Sequence, residues 1–170
     1  MSGIVGVLLC AGGSTRMGFD KLLTPIAGKT AIERSLDALV SGGVNQIVFA
    51  VSPSTRAFVE GLDCPVPHTI VEGGQTRAES VLHALERIEQ ADIVAIHDAA
   101  RCMVSPETVR ESILSAEAFG SGIVAGKVTD TIVRLDENGV TALDRSQLIR
   151  MQTPQTFRFD RILRAYRPGD

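Results

Sequence analysis

No stretch of this sequence approaches the roughly 18 consecutive apolar residues that a membrane-spanning helix needs, although 44% of its 170 residues are hydrophobic. The apolar residues come in short runs. The first, Ile4 to Leu9, has no basic residue ahead of it, where a signal peptide would carry a charged start. It reads as a buried strand, and the expected location is the cytoplasm, away from any membrane. Cysteine is scarce and unpatterned: Cys10, Cys64 and Cys102 are far apart and odd in number, and no Cys-x-x-Cys occurs. His68, His83 and His97 have no second ligand at metal spacing. These absences argue against a protein-held zinc site and fit a reducing compartment. The net charge of −3 gives no support for a nucleic-acid partner, while leaving room for a local basic pocket.

What is present alternates between two periods. Ile4 to Leu9 and Gly122 to Ala125 are short apolar runs bounded by turn residues, as buried strands are, and Ile47 to Val51, His68 to Val71 and Ile93 to Ile96 read as further strands. Between them lie helical patterns. Thr30 opens one with Ile32, Leu36, Leu39 and Val40 on one face, stopped by Gly42-Gly43, and Thr76 to Ile88 carries Val81, Leu82, Leu85 and Ile88 on another. Ser105-Pro106-Glu107 has the cap, first-turn proline and early acid of a helix start. Strand–helix alternation predicts a three-layer α/β sandwich built on a mostly parallel, Rossmann-like sheet. Residues 131–135 and 140–143 alternate half polar around Asp136-Glu137-Asn138-Gly139, a hairpin turn signal. They predict a projecting β-arm over about residues 129–145, and the whole of 1–170 reads as one domain.

In open α/β sheets ligands gather beyond the carboxyl ends of the strands. Three unusual segments fall there: Ala11-Gly12-Gly13-Ser14-Thr15-Arg16-Met17-Gly18, Gly73-Gly74-Gln75-Thr76-Arg77, and His97-Asp98-Ala99-Ala100-Arg101. The first has two readings. It is an ordinary Gly-rich turn with surface cations, or a phosphate cradle in which backbone N–H groups approach the oxygens and Arg16 and Lys21 balance the charge. It matches neither the dinucleotide nor the P-loop spacing. Bland readings also stand beside the others. Asp98 caps a turn, Arg101 pairs with a surface carboxylate, Arg77 and Ser80 are helix-surface residues, Arg145 sits solvated at the arm's base, and Thr153-Pro154 ends a strand.

Ala11-Gly12-Gly13-x-x-Arg16-Met17-Gly18 with Lys21 resembles the signature loop of sugar nucleotidyltransferases. Gly73-Gly74-x-x-Arg77-x-x-Ser80-Val81, His97 to Arg101, Thr129-Asp130-Thr131, Asp144-Arg145 and Gln152-Thr153-Pro154-Gln155-x-Phe157 narrow the resemblance to the 2-C-methyl-D-erythritol 4-phosphate cytidylyltransferases of the non-mevalonate isoprenoid pathway. The resemblance implies roles residue by residue. Ala11, Gly12, Gly13, Gly74, Gln75, Ser80 and Ala99 would hold the nucleoside of CTP, and Asp98 both substrates. Arg16, Lys21 and Arg145 would be the catalytic cations, the first two on the triphosphate. Arg101, Thr131, Arg145 and Thr153 would bind the sugar phosphate, with the arm reaching into the second subunit of a homodimer. Magnesium (Mg2+) would ride on the triphosphate oxygens, with no ligand from the protein. The attacking phosphate is already an anion, so positioning and charge cancellation suffice, no general base is required, and His97 reads as structural.

Departures mark the alternatives. Asp20-Lys21-Leu22 is also similar to the loop of molybdenum-cofactor guanylyltransferases, and a catalytically degenerate nucleotide-binding protein is the rival from another class. The family continues beyond the Gln-Thr-Pro-Gln segment to a second active-site lysine, whereas this sequence stops at Asp170. The expectation is a chain that lacks that C-terminal segment because it is part of a longer protein.

Overall fold

The computed structural model of the chain describes residues 3–11, 21–137 and 139–167. In chain order the main strands and helices are β1 (Ile4–Cys10), α1 (Ala31–Ser41), β2 (Gln46–Val51), α2 (Pro53–Glu60), β3 (His68–Glu72), α3 (Arg77–Leu85), β4 (Ile93–Asp98), α4 (Pro106–Phe119), β5 (Ser121–Lys127), β6 (Val133–Asp136), β7 (Gly139–Ala142), β8 (Ile149–Arg158) and α5 (Phe159–Tyr166). A six-stranded sheet has the order β3-β2-β1-β4-β8-β5, and β6 pairs with β7 in a separate two-stranded sheet.

The sheet is parallel from β3 through β4. β8 then runs antiparallel to both of its neighbours, β4 and β5. The expected three-layer sandwich is present, with one reversed strand wedged into the sheet. One face packs Leu8, Ile47 and Phe49 against Leu36, Leu39, Val59, Val109 and Ile113 of α1, α2 and α4. The other packs Val7, Val48 and Ile96 against Val81, Leu85 and Ile162 of α3 and α5. Successive residues of one strand point to opposite faces, so β1, β2 and β4 need apolar residues at nearly every position.

Two expectations are corrected. β5 is an edge strand bonded to β8 alone, and Ile123 is 39% exposed. A run of four small or apolar residues does not by itself separate an edge strand from one buried on both faces. After β2, Ser52-Pro53 starts a helix: the Ser52 N–H donates to Thr55 Oγ1 at 3.0 Å and Pro53 opens α2. Proline is tolerated there because a first-turn N–H has no helical partner to lose. Thr153-Pro154 lies inside β8 and does not end a strand. There the register shifts, so that Gln152, Thr153 and Pro154 face Val124 alone. Proline cannot donate to the ladder, and the irregularity absorbs it.

The arm forms as expected. β6 and β7 pair antiparallel from Val133↔Ala142 to Asp136↔Gly139, and Gly139 takes φ +111°, a left-handed value suited to glycine. Val133, Leu135 and Val140 are 50%, 77% and 67% exposed.

Phe49, fully buried on β2 and edge-on to His68 with ring centroids 5.8 Å apart, sets the scale of the core. Phe49→Ala is expected to destabilise the fold by about 3–5 kcal/mol. Urea unfolding should show this as a lower midpoint at an unchanged slope.

Candidate functional site at the carboxyl ends of the strands

Short backbone bonds gather the strand ends. The Ala99 N–H donates to the Leu9 carbonyl at 3.1 Å and the Gly73 N–H to the Val51 carbonyl at 2.8 Å. Thr55 Oγ1, from α2, donates to the Cys10 carbonyl at 3.0 Å. Gly73 then passes so close to Ala11 that a Cβ on it would lie 2.2 Å from the Ala11 methyl. Glycine is required at this position by the contact, not by φ. The contact presses the start of the first Gly-rich segment against the second.

The second segment is held by its own helix. Thr76 caps α3, accepting from the Glu79 N–H, while the Glu79 carboxylate accepts from Gln75 and Thr76 N–H groups at 2.7 and 3.3 Å. Ser80, buried, accepts from the Gly74 N–H at 3.0 Å and donates to the Thr76 carbonyl at 3.0 Å. Both Ser80 and the Glu79 carboxylate thus hold the loop shape. The N–H groups of Gly74, Gln75 and Thr76, which lead into the helix, are already satisfied within the protein.

These elements surround a cleft of about 320 Å³. Ala11 contributes from the end of β1, Lys21 from the segment after it, Gln75, Arg77 and Ser80 from the start of α3, and Asp98 from the end of β4. Asp98 is the cleft's charge hub. One carboxylate oxygen accepts from Arg77 Nε at 2.9 Å and the other from Arg101 Nε at 3.3 Å. Arg77 Nη2 also donates to Gln155 Oε1 at 3.2 Å. A second cavity, of about 450 Å³, adjoins the first through Ala100, with Arg101, Cys102, Gln152 and Thr153 in its wall.

Beneath the two cavities lies His97, with none of its surface exposed. Its Nδ1 is 2.9 Å from Thr153 Oγ1, which also accepts from the Asp98 N–H at 3.3 Å. Nε2 has no hydrogen-bond partner. Burial pushes the imidazole pKa down to about 4, against the smaller opposing pull of the Asp98 charge and the Arg101 backbone.

Of the residues singled out from the sequence, Ala11, Lys21, Gln75, Ser80 and Asp98 line the first cleft, and Gly74 adjoins it through Ser80. Arg101 and Thr153 line the second cavity. Ala99 is fully buried, its carbonyl accepting from Ser35 Oγ, and it is Ala100 that faces both cavities. Thr131 and Arg145 lie exposed on the arm and its base and line neither cavity, with Arg145 Nη1 donating to the Thr129 carbonyl at 2.7 Å. Gly12, Gly13 and Arg16 lie outside the described residues. Sequence reasoning gave no role to Gln155 and left Arg77 with a bland reading, yet both meet at Asp98. The signal was the charge pattern itself, because a carboxylate at a strand end attracts the cations of neighbouring segments.

The buried imidazole makes stability depend on pH. Its folded pKa lies below the ordinary histidine value of 6.5, so the unfolded chain binds the proton more readily. Stability is fully present above about pH 6.5 and is lost as pH falls toward 4, by up to roughly 3 kcal/mol from this group. Urea unfolding at pH 7 and 4.5 checks it. His97→Asn should lose that part of the acid sensitivity.

The geometry has counterparts. A family model described as 2-C-methyl-D-erythritol 4-phosphate cytidylyltransferase matches residues 4–170. The enzyme of that name from Thermotoga neapolitana is 34% identical, the match spanning 95% of this chain and 76% of the relative. Its namesake from Cereibacter sphaeroides is 36% identical over 96% of this chain and 77% of that one. In fold, the crystal structure of 4-diphosphocytidyl-2C-methyl-D-erythritolsynthase from Anaerococcus prevotii superposes with a TM-score of 0.84 at 23% identity, covering 98% of this chain and 75% of that one. The chain therefore spans about three quarters of the length of these proteins, and it belongs to the 2-C-methyl-D-erythritol 4-phosphate cytidylyltransferase family.

Proposed function

We propose that this chain transfers the cytidylyl group of CTP to 2-C-methyl-D-erythritol 4-phosphate and releases pyrophosphate. The observation that carries the reading is the convergence of Ala11, Lys21, Gln75, Ser80 and Asp98 on one cleft at the carboxyl ends of the strands, in a chain of this family. A phosphate oxygen of the acceptor attacks the α-phosphorus. The new P–O bond forms as the bond to the β-phosphate oxygen breaks, and that electron pair leaves on pyrophosphate. The nucleophile needs no proton removed, so catalysis rests on alignment and on cations that meet the growing charge. Lys21 and Arg16 serve the triphosphate. Arg101, with Thr153, serves the acceptor in the adjoining cavity, and Asp98 stands between the two. Magnesium fits this arrangement as an ion carried by the triphosphate, because both oxygens of Asp98 are already engaged by arginines. When bound, it adds charge neutralisation there.

The deciding assay is pyrophosphate release with CTP and with GTP, each in the presence of the methylerythritol phosphate. Turnover with CTP supports the reading; turnover with GTP alone, or none with either, overturns it. Lys21, exposed at the rim of the cleft, supplies the sharper test. Lys21→Ala is expected to lower turnover at least ~10²-fold, as for loss of one preorganised oxyanion donor, with thermal stability unchanged. A fall of less than about threefold would remove Lys21 from the machinery.

The homodimer completes the proposal. Val133, Leu135 and Val140 on the arm and Ile149 and Met151 on β8 are exposed, and a lone two-stranded ribbon is marginal in water. A second copy covers such a surface by two-fold symmetry, the commonest arrangement, and brings Thr131 and Arg145 of one subunit to the cavities of the other. Mixing the Lys21→Ala and Thr131→Ala proteins, each inactive, should then restore about a quarter of the wild-type sites by random pairing across a two-fold interface. A monomer in sedimentation, fully active, would end the composite-site proposal. The family is expected to work in the cytoplasm; among the described residues no helix is long and apolar enough to cross a membrane.

A further inference from the structure

We propose that His97 is a positioning residue for the acceptor cavity: it commits the Thr153 hydroxyl proton, so that Thr153 presents a lone pair to the cavity and reads a hydroxyl of the sugar phosphate, leaving the phosphate to cations. The inference rests on the functional reading above.

A hydroxyl has one proton and two lone pairs to distribute. At Thr153, 5% exposed in the cavity wall, one lone pair receives the Asp98 N–H at 3.3 Å. The proton's destination depends on His97, whose Nδ1 is 2.9 Å from Oγ1. A neutral imidazole carries its proton on one nitrogen, and which one is set by what the other meets. Burial keeps the ring neutral. Of the two hydrogen-bond partners of the Thr153 hydroxyl, the Asp98 N–H and His97 Nδ1, only Nδ1 can accept its proton, and a buried hydroxyl needs an acceptor. Nδ1 therefore accepts from Thr153, and the ring proton stays on Nε2, which has no hydrogen-bond partner in either tautomer. The opposite tautomer would leave the hydroxyl proton without an acceptor in the protein and free it to point at a phosphate. A buried side chain that touches neither cavity thereby sets the polarity of the residue that does. Through the same hydroxyl it fixes the backbone of Asp98, whose carboxylate orients Arg77 and Arg101.

Two experiments test this. In kinetics, His97→Leu keeps an apolar side chain in the core but removes Nδ1, and Thr153→Val removes the hydroxyl. Each is expected to raise KM for the sugar phosphate about tenfold, the loss of one well-placed hydrogen bond, with KM for CTP within about twofold. Because the two residues act as one unit, the double variant should be no worse than either single one. His97→Asn, whose amide oxygen can occupy the place of Nδ1, should restore most of the loss. Additive losses, an Asn variant no better than Leu, or losses that simply follow the melting temperature would overturn the proposal. In solution, nitrogen-15 spectra of the wild-type imidazole should show Nε2 protonated and Nδ1 bare, with the Nδ1 resonance moving in Thr153→Val. A proton on Nδ1 overturns it, whatever the variants do. A wild-type protein that fails to use CTP with the methylerythritol phosphate sinks the functional reading alone, and the nitrogen-15 measurement still decides the geometry of His97.

Discussion

The site depends on how much is attached to the end of β4. Asp98 receives a guanidinium on each carboxylate oxygen, from Arg77 of α3 and from Arg101 in the turn that follows. Each ion pair is half exposed, so neither contributes more than about 1 kcal/mol to folding. Their consequence is orientation. One arginine lines the first cleft and the other the second cavity. The carboxylate holds both at fixed distance from the strand end, and a phosphate arriving at either cavity meets a cation whose position is already set. Preorganisation of this kind is where a reaction without proton transfer gains its rate.

The reversed strand makes the second cavity possible. A sheet that continued in parallel beyond β4 would bring another helix crossover to this edge. Instead β8 lies antiparallel against β4, with Gln155 opposite Ile96. That register sets Gln155 within reach of Arg77 and Thr153 within reach of His97. The irregular stretch Gln152 to Pro154 lets the successive side chains of Gln152 and Thr153 line one cavity, where a regular ladder would have sent them to opposite faces. The proline that obscures the strand in the sequence is part of what builds the site.

The parts of the molecule that were legible in the sequence are those where one local rule decides. β1, β2 and β4 are buried on both faces, and continuous apolar runs say so. α1, α3 and α4 start at Thr30, Thr76 and Ser105, each capping its helix with its own side chain. Gly139 marks the arm's turn. The illegible parts depend on partners distant in sequence. Nothing in Gly122-Ile123-Val124-Ala125 announces an edge, because that depends on β8 arriving from about 30 residues later to take the place beside β4, as only the sheet order reveals. At the site the glycine loops and the strand-end charges were visible by residue type, but Ser80 and Glu79 were not readable as loop supports, since their partners are backbone groups. Arg77 and Gln155 were quoted in motifs without the contact that joins them.

The disposition of charge then bears on what the cleft can hold. Among the described residues, Lys21, Arg77 and Arg101 face one carboxylate, Asp98, across the two cavities, and that carboxylate is consumed by internal pairing. An occupant that leaves this excess of positive charge unanswered gains little, while one with several phosphates relieves it at short range, where screening by salt is weakest. The nucleoside, by contrast, meets a wall in which the loop N–H groups of Gly74, Gln75 and Thr76 are already satisfied by Ser80 and Glu79. That wall offers shape, set by the contact between Gly73 and Ala11, more than free hydrogen bonds. Affinity in such a cleft comes mainly from the anion and selectivity from the fit of the base. The close approach at Gly73 is therefore as much a part of recognition as any of the cations.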